Sequence, residues 1–343
     1  PRGGDIVSIS LPLYPRHRDR PDLPFQLLEQ SNNRLYIAQS GLTGRNGPDA
    51  REVGRPLFSA EASEFTLADG EDSLQVDLYF SENDITYIKR FTFNRGDYLI
   101  NVEYLIDNQS SENWTGNLFG QIKRDDSGDP SSSGATGMAT YLGAAYWDAD
   151  SSYTKISQRD MNRGNLRETV QGGWMAWLQH YFVSAWIPSS EQSHVYQTRL
   201  DREGNFIVGF TSPTTQVAPG EQGVIQADFY AGPKTQDRLK EISPGLHLTV
   251  DYGFLWWIAQ PLFWVLSFIH SFVGNWGWSI ILLTVLIKLV FFPLSATSYR
   301  SMANMRRVGP KLQSLREQFG DDRQKMSQAM MELYKKEKIN PLG

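Results

Sequence analysis

Three things are missing from this chain of 343 residues, and each absence narrows what it is. It has no cysteine, which excludes disulfide staples and thiolate metal sites and leaves the redox compartment undecided. It has no G-x-S-x-G elbow, no P-loop, no H-E-x-x-H pair and no correctly flanked G-x-G-x-x-G, and its five histidines (17, 180, 194, 247 and 270) lack ligand-like spacing. No catalytic residue, metal, cofactor or small-molecule substrate is therefore expected. Finally, the 36 residues from Tyr252 to Ile287 carry no Lys, Arg, Asp or Glu in a protein that is 21% charged. Chance would produce such a gap at a given start about once in 5,000. It marks a membrane segment, concealed by an unremarkable mean hydropathy of -0.41.

The gap separates two regions of opposite charge. Residues 1–251 hold 22 basic and 33 acidic side chains, a net of -11, whereas residues 295–343 hold 10 basic and 5 acidic, a net of +5. The acidic region alternates apolar and polar residues over Leu74–Phe80, Tyr87–Arg95, Tyr98–Asn108, Asn117–Arg124, His194–Asp201, Asn205–Ser212 and Gly223–Gly232. Period-two alternation buries one face of each strand, so an antiparallel β-sandwich is expected over 1–233. A helical connector follows over 234–252. The stretch 125–137 (DDSGDPSSSGATG) reads as a mobile loop, and Arg95-Gly96-Asp97 as a plain turn between strands. No repeat of fixed period is present.

The uncharged segment divides at Gly274-Asn275. Its first piece, 253–273, mixes Trp256, Trp257 and Trp264 with Gln260, Pro261, Ser267, His270 and Ser271. Indoles settle at headgroup level, so this piece reads as an amphipathic helix lying in the interface; a hairpin in which both pieces cross stays open on pattern alone. The second piece, 274–294, begins with Trp276 and Trp278 and is long enough to cross the hydrocarbon as a helix. The five tryptophans are the expected membrane-interface anchors. The excess of Lys and Arg after the span places 295–343 in the cytoplasm and, with one crossing, 1–252 in the periplasm of a bacterial inner membrane.

Lys288 falls inside the span, where a charge is costly and a functional role is the default expectation, although a Lys stem near the inner end could also snorkel to the headgroups. Thr284 lies one turn earlier on the same face. Downstream, apolar residues at three- and four-residue spacing predict a helical hairpin over 295–343, kinked at Pro310, stopped at Gly320 and restarted by Asp321 or Asp322. Met302, Met305, Met326 and Met330 lie in it. Thioether chains adapt to varied apolar partners, so these residues suit either contact with nascent hydrophobic segments or packing of the hairpin itself. Arg306, Arg307, Lys335, Lys336 and Lys338 would face anionic lipid, ribosomal RNA or only solvent.

Several longer motifs resemble a known family. Leu248–Gly253 (LTVDYG), Gln260–Phe263 (QPLF), His270–Gly277 (HSFVGNWG) and Asn340–Gly343 (NPLG) are similar to the bacterial YidC membrane protein insertases. So are Gln39–Asp49 (QSGLTGRNGPD), Gly172-Gly173-Trp174 and Ala185–Pro188 (AWIP) in the acidic region. The resemblance implies a periplasmic supersandwich similar to galactose mutarotases, an interfacial helix, and then the first of five core transmembrane helices. It also implies an insertase and chaperone for inner-membrane proteins, acting alone or with the Sec translocon, SecDF and the ribosome on nascent membrane proteins amid membrane lipids. In the family a positive residue, most often Arg, sits in a hydrophilic groove; the matching position here is Lys288, with Thr284 beside it. On this reading the chain is a fragment. The competing expectation, from the sandwich alone, is a membrane-anchored periplasmic carbohydrate-binding or mutarotase-like protein.

Overall fold

The computed structural model describes residues 1–17, 19–131, 141–149, 152–250, 256–319 and 322–336. They fall into two compact units, Pro1–Val250 and Asp251–Gly343. The first unit runs through β1 (Ile9–His17), β2 (Arg20–Gln30), β3 (Leu35–Thr43), β4 (Ser59–Ala60), β5 (Ser73–Glu82), β6 (Ile85–Asn94), β7 (Leu99–Asn108) and β8 (Trp114–Arg124). It continues with β9 (Gly143–Asp148), β10 (Ser152–Ser157), helix α1 (Gln158–Arg163), β11 (Arg167–Gln171), β12 (Trp174–Leu178), β13 (Phe182–Pro188) and β14 (Ser193–Leu200). The remaining strands are β15 (Phe206–Thr211), β16 (Thr215–Val217) and β17 (Gln222–Pro233), followed by helix α2 (Gln236–Ile242) and a short 3-10 turn at Leu246–Thr249.

Two antiparallel sheets face each other. One has the order β1-β2-β3-β8-β15-β14-β11, with β16 also pairing β8, and the other β10-β9-β12-β13-β17-β7-β6-β5-β4. The alternation expected from sequence is visible in β7 and β8, where every second residue is buried. Between the sheets lie Tyr36, Tyr104, Trp114, Trp177, Trp186 and Phe229, all fully enclosed. A second apolar cluster forms on the other side of the larger sheet, where Trp174, Ala176 and Leu178 of β12 meet Leu239 of α2 and Leu246. β12 is consequently buried on both faces. Trp174 Nε1 donates to the Pro244 carbonyl at 3.0 Å, which fastens the connector to the sheet.

The polar stretch after β8 differs from its expectation as a loose loop. Asp125 accepts from the Leu35 backbone at 2.6 Å, and Asp129 accepts from the His180 amide at 2.6 Å. Arg124, fully buried between the rings of Tyr36 and Trp177, donates to the carbonyls of Ser127 and Gly128. Residues 125–131 are thus pinned because their short acidic side chains find backbone donors; 132–137 lie outside the described residues. Arg95-Gly96-Asp97 is a turn, with Gly96 at φ 74° and Asp97 paired to Arg238 of α2.

The second unit contains α3 (Trp256–Val273), α4 (Trp276–Phe319) and α5 (Arg323–Lys336). α4 is one helix of 44 residues that passes through both Pro293 and Pro310. The span therefore has no helix end at 294. Pro293 leaves one carbonyl without its usual donor, a loss that the surrounding apolar turns absorb without breaking the helix.

Candidate functional site

The α3–α4 junction is built by two residues of opposite habit. Gly274 takes the left-handed conformation, φ 66°, and its N–H reaches the His270 carbonyl at 2.8 Å, which closes α3. Asn275 then caps α4, its side-chain oxygen accepting from the amides of Gly277 (2.9 Å) and Trp278 (3.2 Å). The His270 imidazole stacks on the Trp276 indole with 3.8 Å between centroids. Ser279 is buried in this elbow and donates to the Asn275 carbonyl. The signature HSFVGNWG is thus a helix stop, a helix start and a ring stack in eight residues.

From Trp276 to Arg300 the helix is apolar enough to cross a bilayer for 25 residues, with none of its most apolar window buried. Lys288 is twelve residues from each end of that stretch, about 18 Å by helical rise. Its side chain is exposed. Thr284, exposed on the same face, donates its hydroxyl to the Ile280 carbonyl at 2.8 Å, so it adds polarity without an unpaired proton. Trp257, Trp264, Trp276 and Trp278 are all exposed; the Trp256 side chain lies outside the described residues. Trp264, Phe268 and Phe272 form an aromatic ladder along α3, at 5.9 Å and 5.0 Å between successive rings.

Further along, α4 and α5 pack together, and Val308 is enclosed. Asp322 caps α5 by accepting from the Gln324 and Lys325 amides, while Gly320 and Asp321 lie outside the described residues. Met302 is exposed, Met326 and Met330 are half-buried, and the Met305 side chain is not among those described.

The ectodomain holds a buried charge network that sequence reading did not find. Lys89 of β6 is fully enclosed and spends its three protons on the carbonyls of Gly3 (3.0 Å), Gly4 (2.8 Å) and Ser40 (3.2 Å). Burial pulls this ammonium down to about 7, against the attraction of Asp5. Arg55 pairs with both Asp5 and Asp49 and donates to the Ser40 carbonyl at 2.7 Å. Asp49 also accepts from the Leu42 amide at 2.9 Å. A Cβ on Gly41 would stand 2.4 Å from the Asp49 carboxylate. QSGLTGRNGPD thus returns its terminal Asp onto its own strand. The only sequence signal was the cluster of short and charged residues in that motif.

Residues 1–265 match the family model described as the YidC periplasmic domain, and residues 268–343 the model described as 60Kd inner membrane protein. Proteins named membrane protein insertase YidC from Pseudomonas putida and Pseudomonas fluorescens are 65% and 64% identical over all 343 residues. The chain spans 61% of the length of each. Among solved structures, a galactose mutarotase related enzyme from Lactobacillus acidophilus is 10% identical with a TM-score of 0.34, over 51% of this chain and 70% of that one. The GH36 alpha-galactosidase AgaA from Geobacillus stearothermophilus is 8% identical with a TM-score of 0.37, over 57% and 32%.

Proposed function

The chain belongs to the YidC family of membrane protein insertases, and from that membership we propose that it supplies the ectodomain, the interfacial helix and the first core helix of a bacterial inner-membrane insertase and chaperone. The observation that carries this reading is Lys288, a lone cation midway along an apolar helix, with the polar Thr284 one turn away. A charge there costs at least about 2.5 kcal/mol in lipid, so the helix needs a hydrated surface beside it. The family's further helices would provide that groove. Lys288 would draw acidic residues of a nascent segment into it, and the apolar part of the segment would then move sideways into the bilayer. Binding, release and partition suffice for this; no bond is made or broken.

The same reading assigns the remaining parts. Residues 1–233 form the periplasmic domain, 253–273 lie in the interface, 274–294 cross, and 295–343 form the cytoplasmic hairpin that meets the substrate first. The exposed Met302 and the basic residues Arg306 and Lys335 would serve contacts with nascent chains, lipid or the ribosome, and the complete protein would work with the Sec translocon and SecDF. In the complete protein, Lys288→Ala should reduce insertion of a small acidic-tailed substrate at least tenfold, while Lys288→Arg retains it. Wild-type insertion by the Ala variant would remove Lys288 from the mechanism and leave it a snorkelling residue.

A further inference from the structure

Several part-buried carboxylates in the first unit come with cations. Asp49 and Asp5 share Arg55, Asp77 has Arg90, Asp97 has Arg238, and Asp201 has Lys123. Asp228 of β17 has no such cation among the described residues. One of its oxygens accepts from Asn101 Nδ2 at 2.9 Å across the β7–β17 pair, and among the described residues no Lys or Arg approaches the carboxylate. Burial raises its pKa accordingly. Asp228 lines a cavity of about 670 Å³ between the larger sheet, the β11–β12 and β13–β14 turns and the end of α2.

The walls of that cavity share a bias. They include Asp228, Glu191, Gln171, Gln226 and Trp147, but no Lys, Arg or His. Its rim is held rigidly. Gly172 and Gly173 turn in the left-handed region, where a Cβ on Gly173 would strike the Trp147 carbonyl at 2.2 Å, and Tyr196 donates to the Gly172 carbonyl at 2.7 Å. GGW and AWIP therefore meet at a concave acidic site whose described lining holds no basic side chain.

We propose that this cavity binds an organic cation, an ammonium or guanidinium group that takes the place of the missing partner of Asp228. A carboxylate in a half-enclosed site favours a charge-assisted donor, and Trp147 in the lining would add attraction for a flat or alkylated cation. The group could arrive on a free polyamine or on a Lys or Arg of a peptide. The site is separate from the Lys288 reading, and its test does not use insertion.

The full chain in nonionic micelles is titrated by calorimetry with spermidine and with N-acetyl-arginine amide, and with N-acetyl-citrulline amide as the neutral analogue. Saturable binding of either cation, at least tenfold weakened by Asp228→Asn and absent for citrulline, supports the site, and the cation preferred identifies the source. Gln226→Arg gives an independent check. Position 226 is on the same strand face as Asp228 and about 7 Å away, so the introduced guanidinium should reach the carboxylate, abolish binding and raise Tm. No saturable binding by either cation overturns the proposal, and so does equal binding by the citrulline amide or by the Gln226→Arg chain.

Discussion

Replacing Lys89 with Met tests whether the buried ammonium is held in the way its surroundings require. In the folded protein burial lowers the group to about 7, and in the unfolded chain it titrates near its ordinary 10.5. Between those values the unfolded state binds the extra proton, so stability must rise with pH; below about 7 the full cost of burying the charge, about 5 kcal/mol, is present. Linkage then gives a gain of about 2 kcal/mol between pH 7 and 9, or roughly 4–8 °C in Tm for a domain of this size. The Met variant has no proton to lose. Its absolute stability is the poorer observable, because two effects oppose each other. The buried charge is removed, but the Gly4 carbonyl loses its donor at about 1–3 kcal/mol, while Ser40 keeps Arg55. The difference in slope is what discriminates. Thermal unfolding of both chains in nonionic micelles, followed by near-UV circular dichroism at half-unit steps from pH 7 to 9, should give a rising line for wild type and a flatter one for Lys89→Met. Parallel lines would refute the reasoning and mean that the three carbonyls hold the ammonium at its ordinary pKa.

Other substitutions probe the remaining structural arguments. Gly41→Ala should cost at least about 2 kcal/mol in chemical denaturation, because the added methyl displaces the Asp49 carboxylate that bonds Leu42 and Arg55. Asn275→Ala removes the cap of α4 and should lower helix stability by about 1 kcal/mol, seen as faster amide exchange at Gly277 and Trp278. For Asp97, burial opposes ionisation but hydrogen bonds from Arg238 and the Tyr98 and Leu99 amides outweigh it, leaving the carboxyl below its usual range. Its contribution is present above about pH 4 and lost as pH falls through the folded value. Asp97→Asn should therefore lessen the decline in Tm on acidification below pH 5.

How much of this was legible depended on which surfaces a segment buries. β7 and β8 alternate because one face meets the core and the other solvent, and their limits fall within a few residues of the expected runs. β12 (WMAWL) and β13 lack that signature, since α2 and the 3-10 turn cover the second face of the larger sheet and both strands are buried on both sides. Without alternation, such runs cannot be told from helix by period. The Lys89 network was hidden for a different reason. Its partners are the carbonyls of Gly3, Gly4 and Ser40, and a backbone oxygen leaves no trace in residue identity. The α3–α4 elbow was readable because both its devices, a left-handed Gly and an Asn cap, are side-chain chemistry.

The continuity of α4 alters the weighing of Lys288. Ending the span at residue 294 leaves the cation about 9 Å from the cytoplasmic end, a distance over which a Lys stem and local thinning could bring the ammonium to the headgroups. The helix itself runs unbroken past Pro293, and the stretch long and apolar enough to cross extends to Arg300, with Lys288 about 18 Å from either end of that stretch, which is longer than the roughly 30 Å of hydrocarbon it would cross. On the proposed reading the charge is met within the membrane, by water or by an anion of the substrate. On that reading a Lys would serve in place of an Arg, because a mobile acidic segment asks for a point charge and not for a fixed two-pronged grip. It follows that Lys288→Gln, polar but neutral, should fail with acidic-tailed substrates as Ala does, yet insert neutral-tailed ones normally. If Gln served both classes equally, the requirement at this position would be hydration and not charge.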